Sequence, residues 1–203
     1  MRYPAFFDEV PPIVLHDGLG EFLGAFERGI LEIRYADVVR MAGHSCPTVA
    51  GAWLMTRAAL DALWPDGPAE RGGVRVELRA PLGEGNAGVV GAVIANVTGA
   101  AYGDAGFSGI AGRWRRRDLL RFGSPVGADV RFTRLETGAA VEVAYHPERL
   151  VDPGPLLREA LRPDAPPEAR ERFAERWQAM VRTILENAAA VVDVTTVTGT
   201  GQR

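Results

Sequence analysis

Lysine is missing altogether from this chain of 203 residues: all 23 basic side chains are arginine. Without lysine there can be no Schiff-base amine and no phosphate-loop lysine, which removes pyridoxal-phosphate enzymes and ordinary P-loop hydrolases. Cysteine occurs once, at Cys46, so an internal disulfide is impossible. Histidine occurs three times, at His16, His44 and His146. No apolar run approaches bilayer length, since the longest, Ala87 to Ala101, contains Asn96 and Thr98. Excess positive charge is also lacking. The net charge of −3 argues against phosphate backbones or anionic membranes as partners. No nucleic-acid module is visible. Near the start, Pro4, Asp8, Glu9, Pro11 and Pro12 do not resemble a signal peptide, and with the single cysteine this points to a cytoplasmic location.

What remains is the composition of an ordinary folded protein, 47% apolar and 24% charged. Its most informative stretch is His44-Ser45-Cys46-Pro47. Pro47 suits the first position of a helix, with Ala50, Trp53, Leu54 and Leu60 as apolar positions up to Leu63. Cys46 then falls at the N-cap, where a sulfur meets free backbone N–H groups and the positive end of the helix dipole. Such a sulfur can bind metal or act as a nucleophile, and His44 can supply a nitrogen to the same centre. A buried structural cysteine explains the pattern equally well. Two ligands do not complete a tetrahedral shell, and His16, His146, Asp17, Glu84 and Asp104 are the remaining candidate donors.

Asp17 is placed to cap a short helix carrying Leu19, Phe22, Leu23 and Phe26. Ile30–Ile33 reads as a strand and Tyr35–Met41 as a short helix. The alternation from Val74 to Ala80 predicts a half-buried strand, and Asn86–Thr98 a Gly/Ala-rich helix. Phe107–Leu120 reads as strand-like, with an arginine cluster at 113, 115, 116 and 117. Val130–Leu135 and Val141–Tyr145 form a hairpin around Gly138. Helices are expected at Pro155–Leu161 and Pro166–Ala190, then a strand at Val191–Val197 and fraying over Thr198–Arg203. In the longer helix Phe173, Trp177, Val181, Ile184 and Leu185 form one stripe, best explained by core packing. This mixture predicts an α+β fold, with a mixed sheet and packed helices. The expected organisation is an N-terminal extension (1–34), a core (35–150) and C-terminal helices and a strand packed on it (151–203).

Gly83-Glu84-Gly85-Asn86-Ala87-Gly88 matches G-x-G-x-x-G. Pro81 at the strand exit and the Glu84 carboxylate within the phosphate site argue against a dinucleotide, and close helix–sheet packing accounts for the glycines as well. No nucleotide cofactor is expected.

The run Ala42-Gly43-His44-Ser45-Cys46-Pro47, followed by a small-residue helix, a strand, Gly91 to Ala100 with its Thr98-Gly99 pair, and Gly103 to Leu120, resembles the FmdE family of formylmethanofuran dehydrogenase components over about residues 35–125. That resemblance implies an α+β fold similar to the C-terminal domain of glyceraldehyde-3-phosphate dehydrogenase, frequent homodimers, and a metal, usually zinc, held by His44 and Cys46. The chain departs from relatives with Thr48 in place of glycine, with Val89 and Ala92 in place of Cys or Asp, and in having no C-terminal zinc ribbon. The N-terminal extension is positioned to bring His16 or Asp17 to the metal. The expectation is a metal-binding protein with zinc or iron at His44, Cys46 and His16 and a small-molecule ligand. The alternatives are a non-catalytic accessory subunit of a redox or one-carbon enzyme and a metal-free thiol enzyme using Cys46.

Overall fold

The computed structural model describes residues 3–197, the side chain of Arg170 excepted. The fold is α+β, with mixed sheets and packed helices. Strands β1 (Ile13–His16), β2 (Ile30–Ile33) and β3 (Ala69–Glu70) make a small sheet in the order β2-β1-β3. The larger sheet runs β5-β4-β6-β7-β8, from β4 (Val74–Leu78), β5 (Leu120–Arg121), β6 (Val130–Arg134), β7 (Ala140–Tyr145) and β8 (Val192–Val197). Only β4 and β5 are parallel in it.

Register explains the core. Val76 lies opposite Phe132, and Phe132 opposite Val141, so alternate residues of three strands bury one continuous apolar row. Against this face lies α3 (Pro47–Leu63), which also packs on α4 (Ala87–Thr98) and α6 (Pro167–Glu186), the latter in turn contacted by α5 (Gly154–Ala160). Enclosed on several sides, α3 is apolar nearly all round, with Val49, Trp53 and Ala59 fully buried. Tyr145 crosses it at Gly51: a Cβ there would overlap the ring, standing 2.5 Å from Cζ. Phe122 meets α4 in the same way at Gly91, at 2.5 Å from Cζ. One apolar cluster takes in Phe7 near the beginning, Trp53 in the middle and Ile184 and Val191 near the end. Hence the three segments expected from sequence share a single core.

Local expectations held where a specific side chain enforces them. Asp17 accepts hydrogen bonds from the N–H groups of Leu19 and Gly20 and begins α1 (Gly18–Phe22), as expected, although the helix ends before Leu23 and Phe26, which the sequence places within it. Gly138, at φ 74°, turns the β6–β7 hairpin. Gly43, at φ 77°, ends α2 (Tyr35–Ala42) just before the motif. The α6 stripe faces inward: Val181 and Ile184 are fully buried, Trp177 and Leu185 partly so. The long C-terminal helix stops sooner than its periodicity predicts. Asn187 separates α6 from α7 (Ala188–Val191) and turns its amide back to the Thr183 carbonyl at 2.8 Å.

The strand-like reading of Phe107–Leu120 needs correction. Only Leu120 belongs to a named strand, while Gly109, Ala111, Gly112, Trp114 and Asp118 all take positive φ. Repeated left-handed residues fold this stretch back on itself and cancel the alternation a strand requires. The expected fraying of Thr198–Arg203 lies outside the described residues. Among the described residues no helix is long and apolar enough to cross a membrane.

Candidate functional site

The motif occupies the corner between α2 and α3. Pro47 is the first residue of α3, and Cys46 caps it, its sulfur accepting the Val49 N–H at 3.5 Å. Cys46 is half-buried and Ser45 buried, whereas His44 is exposed. His44 Nδ1 lies 3.0 Å from the Ala42 carbonyl oxygen. A carbonyl can only accept, so Nδ1 carries the proton and the lone pair of the neutral ring is at Nε2, the arrangement that orients a metal-ligating imidazole.

Four segments hold the motif and the residue after it, two through backbone carbonyls and two through side-chain hydroxyls. The Ser45 carbonyl accepts from Trp177 Nε1 (3.0 Å) and Gln178 Nε2 (3.2 Å), both on α6. The Ser45 hydroxyl shares a 3.0 Å hydrogen bond with the Tyr35 hydroxyl from α2. From the end of β7, the Tyr145 hydroxyl donates to the Pro47 carbonyl at 2.8 Å. Asn86, before α4, donates its amide to the Thr48 hydroxyl at 3.2 Å. Burial is the main reason both tyrosines are pushed well above the ordinary phenol range. Cys46 adds to that push on each, so the sulfur is within electrostatic reach of two phenols that stay neutral.

Beside this corner opens a cleft of about 500 Å³, floored by Met55, Leu78, Val90 and Val130 and edged by Arg79 and Glu84. Tyr145 and Asn86 also line it, so the residues that hold Pro47 and Thr48 are walls of the cleft. Across its mouth Arg79 Nη2 donates to Asp129 Oδ1 at 2.7 Å. Asp129 Oδ2 in turn accepts the Tyr145 N–H at 2.9 Å.

His16 and Asp17 lie in a separate polar cluster. His16 Nδ1 is bonded to Glu70 of β3, and Nε2 lies 3.2 Å from Glu21 of α1. The Glu70 hydrogen bond is the main influence raising the His16 pKa, against burial and with help from Glu21. Asp17 sits between Arg116 (2.7 Å) and Arg71 (3.2 Å). Burial, the largest single influence on Asp17, pushes its pKa up, but Arg116 and the Gly20 N–H outweigh it and leave it lowered. The arginine run is therefore divided: Arg116 is buried as partner to Asp17, while Arg115 stays exposed. His146 bonds Glu148 and lies 3.4 Å from Asp193, away from the motif. Among the described residues no three His, Cys, Asp or Glu side chains are grouped as a metal shell.

The G-x-G-x-x-G stretch does join parallel strands through α4, yet the expected close packing is made by Gly91, since a Cβ at Gly83 or Gly85 would meet nothing within 4 Å. Tyr35, Asn86, Tyr145 and Trp177 were not singled out as site residues by sequence. Tyr145 carried a faint signal as the last member of the Val141, Val143, Tyr145 face, and Trp177 as part of the α6 stripe. No family model matches the chain, and no curated protein matches it.

Proposed function

We propose that this chain is a cytoplasmic metal-binding protein, a distant relative of the FmdE family of formylmethanofuran dehydrogenase components, that holds zinc or iron through His44 and Cys46 beside a small-molecule cleft. The observation that carries the reading is the contact of His44 Nδ1 with the Ala42 carbonyl, which leaves Nε2 available to a metal two residues before a helix-capping sulfur. An imidazole nitrogen and a sulfur are the donor pair suited to such borderline metals. When bound, the metal would supply Lewis-acid chemistry at the motif itself, since neither His44 nor Cys46 lines the cleft.

The chain's own residues do the rest. Trp177 and Gln178 hold the Ser45 carbonyl and Tyr145 the Pro47 carbonyl, which braces the backbone on either side of Cys46. Two donors leave positions open for water, a ligand or a second copy, and a homodimer would bring further donors within reach. His16, the expected third ligand, would first have to leave Glu70 and Glu21.

The test is elemental analysis of protein purified without added metal and again after equilibration with zinc. About one ion per chain is expected in the wild type, lost in Cys46→Ser and in His44→Ala while circular dichroism is unchanged. Wild-type protein that takes up no zinc or iron under either condition overturns the reading.

A further inference from the structure

We infer that the outer edge of β8 is a self-pairing surface, through which two copies of this chain join their larger sheets antiparallel about a two-fold axis at Val194. The inference goes beyond the reading above and does not depend on the metal.

Hydrogen-bond alternation along the sheet identifies the free backbone groups of β8. One step beyond the Thr133–Ala140 pair, the Arg134 N–H donates to the Ala139 carbonyl at 2.8 Å. On β7, Val141 and Val143 therefore face β6, and Ala140, Glu142 and Ala144 face β8. The partners of those three on β8 are Val197, Thr195 and Asp193. In phase with them, the His146 N–H donates to the Val191 carbonyl at 2.7 Å. Val192, Val194 and Thr196 thus turn their N–H and C=O groups away from β7, and β8 is the last strand of its sheet. The Val192 N–H is used within the chain, on the Ala188 carbonyl at the end of α7. Among the described residues the other outward groups have no partner.

Sheet edges are ordinarily blunted by brevity, proline or charge. The opposite edge, β5, has only two residues. β8 has six, and Val192, Val194, Thr195, Thr196 and Val197 are all β-branched. Its one charge, Asp193, is engaged by Arg149 at 2.7 Å and lies 3.4 Å from His146. All four residues from Asp193 to Thr196 are exposed.

The strand is complementary to its own copy. A two-fold axis across antiparallel strands must set outward residues opposite outward residues. Centred on Val194, it pairs Val194 with Val194 and Val192 with Thr196, and Asp193 meets Thr195. Moved to Asp193, the axis would oppose two carboxylates, and moved to Thr195 it would set Val194 against Thr196 instead of against valine. Val194 lies opposite the buried Val143, hence on the core face, yet is 41% exposed. Its copy across the axis covers it and carries the apolar row from one core to the next. The contact is a single strand pair, at the small end of specific interfaces, so association in the micromolar range is expected.

The experiment is sedimentation velocity across that range, on chelator-treated and on zinc-equilibrated protein. The wild type is expected to pass from monomer to dimer in both. Val194→Pro keeps the β7–β8 ladder, because the N–H it removes faces outward, and should weaken the dimer about tenfold or more by deleting the reciprocal bonds on the axis. Val194→Lys and Val194→Glu should each be monomeric alone and dimerise when mixed, since a residue facing its own copy repels itself and attracts the opposite charge. Circular dichroism checks folding, and should Val194→Pro fail to fold, the mixture of the other two variants decides. A wild type that stays monomeric, even with the Val194 and Thr196 amides protected from exchange, would overturn the inference. So would a dimer that survives Val194→Pro, one that dissociates on chelation, or a mixture that remains monomeric. A wild type that dimerises but takes up no metal would defeat the metal reading and leave this one standing.

Discussion

The ring of Tyr145 lies on Gly51 with no space for a methyl group between them, and its hydroxyl donates to Pro47 one turn earlier. The same side chain therefore closes the core against α3, holds the motif backbone and lines the cleft.

Gly51→Ala should therefore displace Tyr145 and cost about 1–3 kcal/mol, the usual penalty for overfilling a packed interior. Urea denaturation measures it. Gly67→Ala is the control, since a Cβ there meets nothing within 4 Å, and it should fall within about 0.5 kcal/mol of wild type. Equal effects from the two substitutions would mean that the Tyr145 contact is not restrictive.

Asp17→Asn keeps an N-cap acceptor but leaves Arg116, whose side chain is only 10% exposed, without its counter-charge. Breaking a buried pair from one side costs about 3–5 kcal/mol, and a loss of that order is expected. Because the Asp17 pKa is lowered, its contribution is present above the ordinary value of 3.8 and is lost as pH falls through the depressed one. The variant's stability should accordingly change less with acid than the wild type's. Parallel acid unfolding curves would contradict this.

His16 works in the opposite direction. Its pKa is raised above 6.5, so the stability it contributes is full below that value and is lost as pH rises through the raised one. Only the protonated ring can donate to Glu70 and Glu21 together. Glu70→Gln should bring the pKa back down, as followed by the His16 Cε1 proton resonance. An unmoved titration would show that Glu70 is not the cause.

Trp177→Phe keeps most of the apolar contact and removes the donor to Ser45, a change expected to cost about 1 kcal/mol. Its sharper effect should be on the motif. Faster hydrogen exchange at Ser45 and Cys46, with the β6–β7 hairpin unaffected, is the anticipated pattern. Uniform acceleration would mean that the indole supports the whole fold instead.

Features set by nearest neighbours along the chain were readable in advance. Asp17 before Gly18, Pro47 after Cys46 and Gly138 between two alternating runs each act within a few residues, and all took their expected places. Two kinds of feature were not readable. Between Phe107 and Asp118, left-handed residues that include Ala111 and Trp114 break an apparent strand, a conformation set by surrounding contacts and not by residue type. The grip on the motif was hidden as well, because Trp177, Tyr145 and Asn86 reach it from distant segments. Periodicity identified Trp177 as inward-facing without saying which carbonyl its indole would find.

The two α6 donors reach Ser45 across 132 and 133 positions of chain. A polypeptide emerging from the ribosome thus displays the His-Ser-Cys corner long before the residues that brace it have been made. The corner attains its braced shape only once α6 has been made, and a product truncated ahead of α6 would carry the motif without its support.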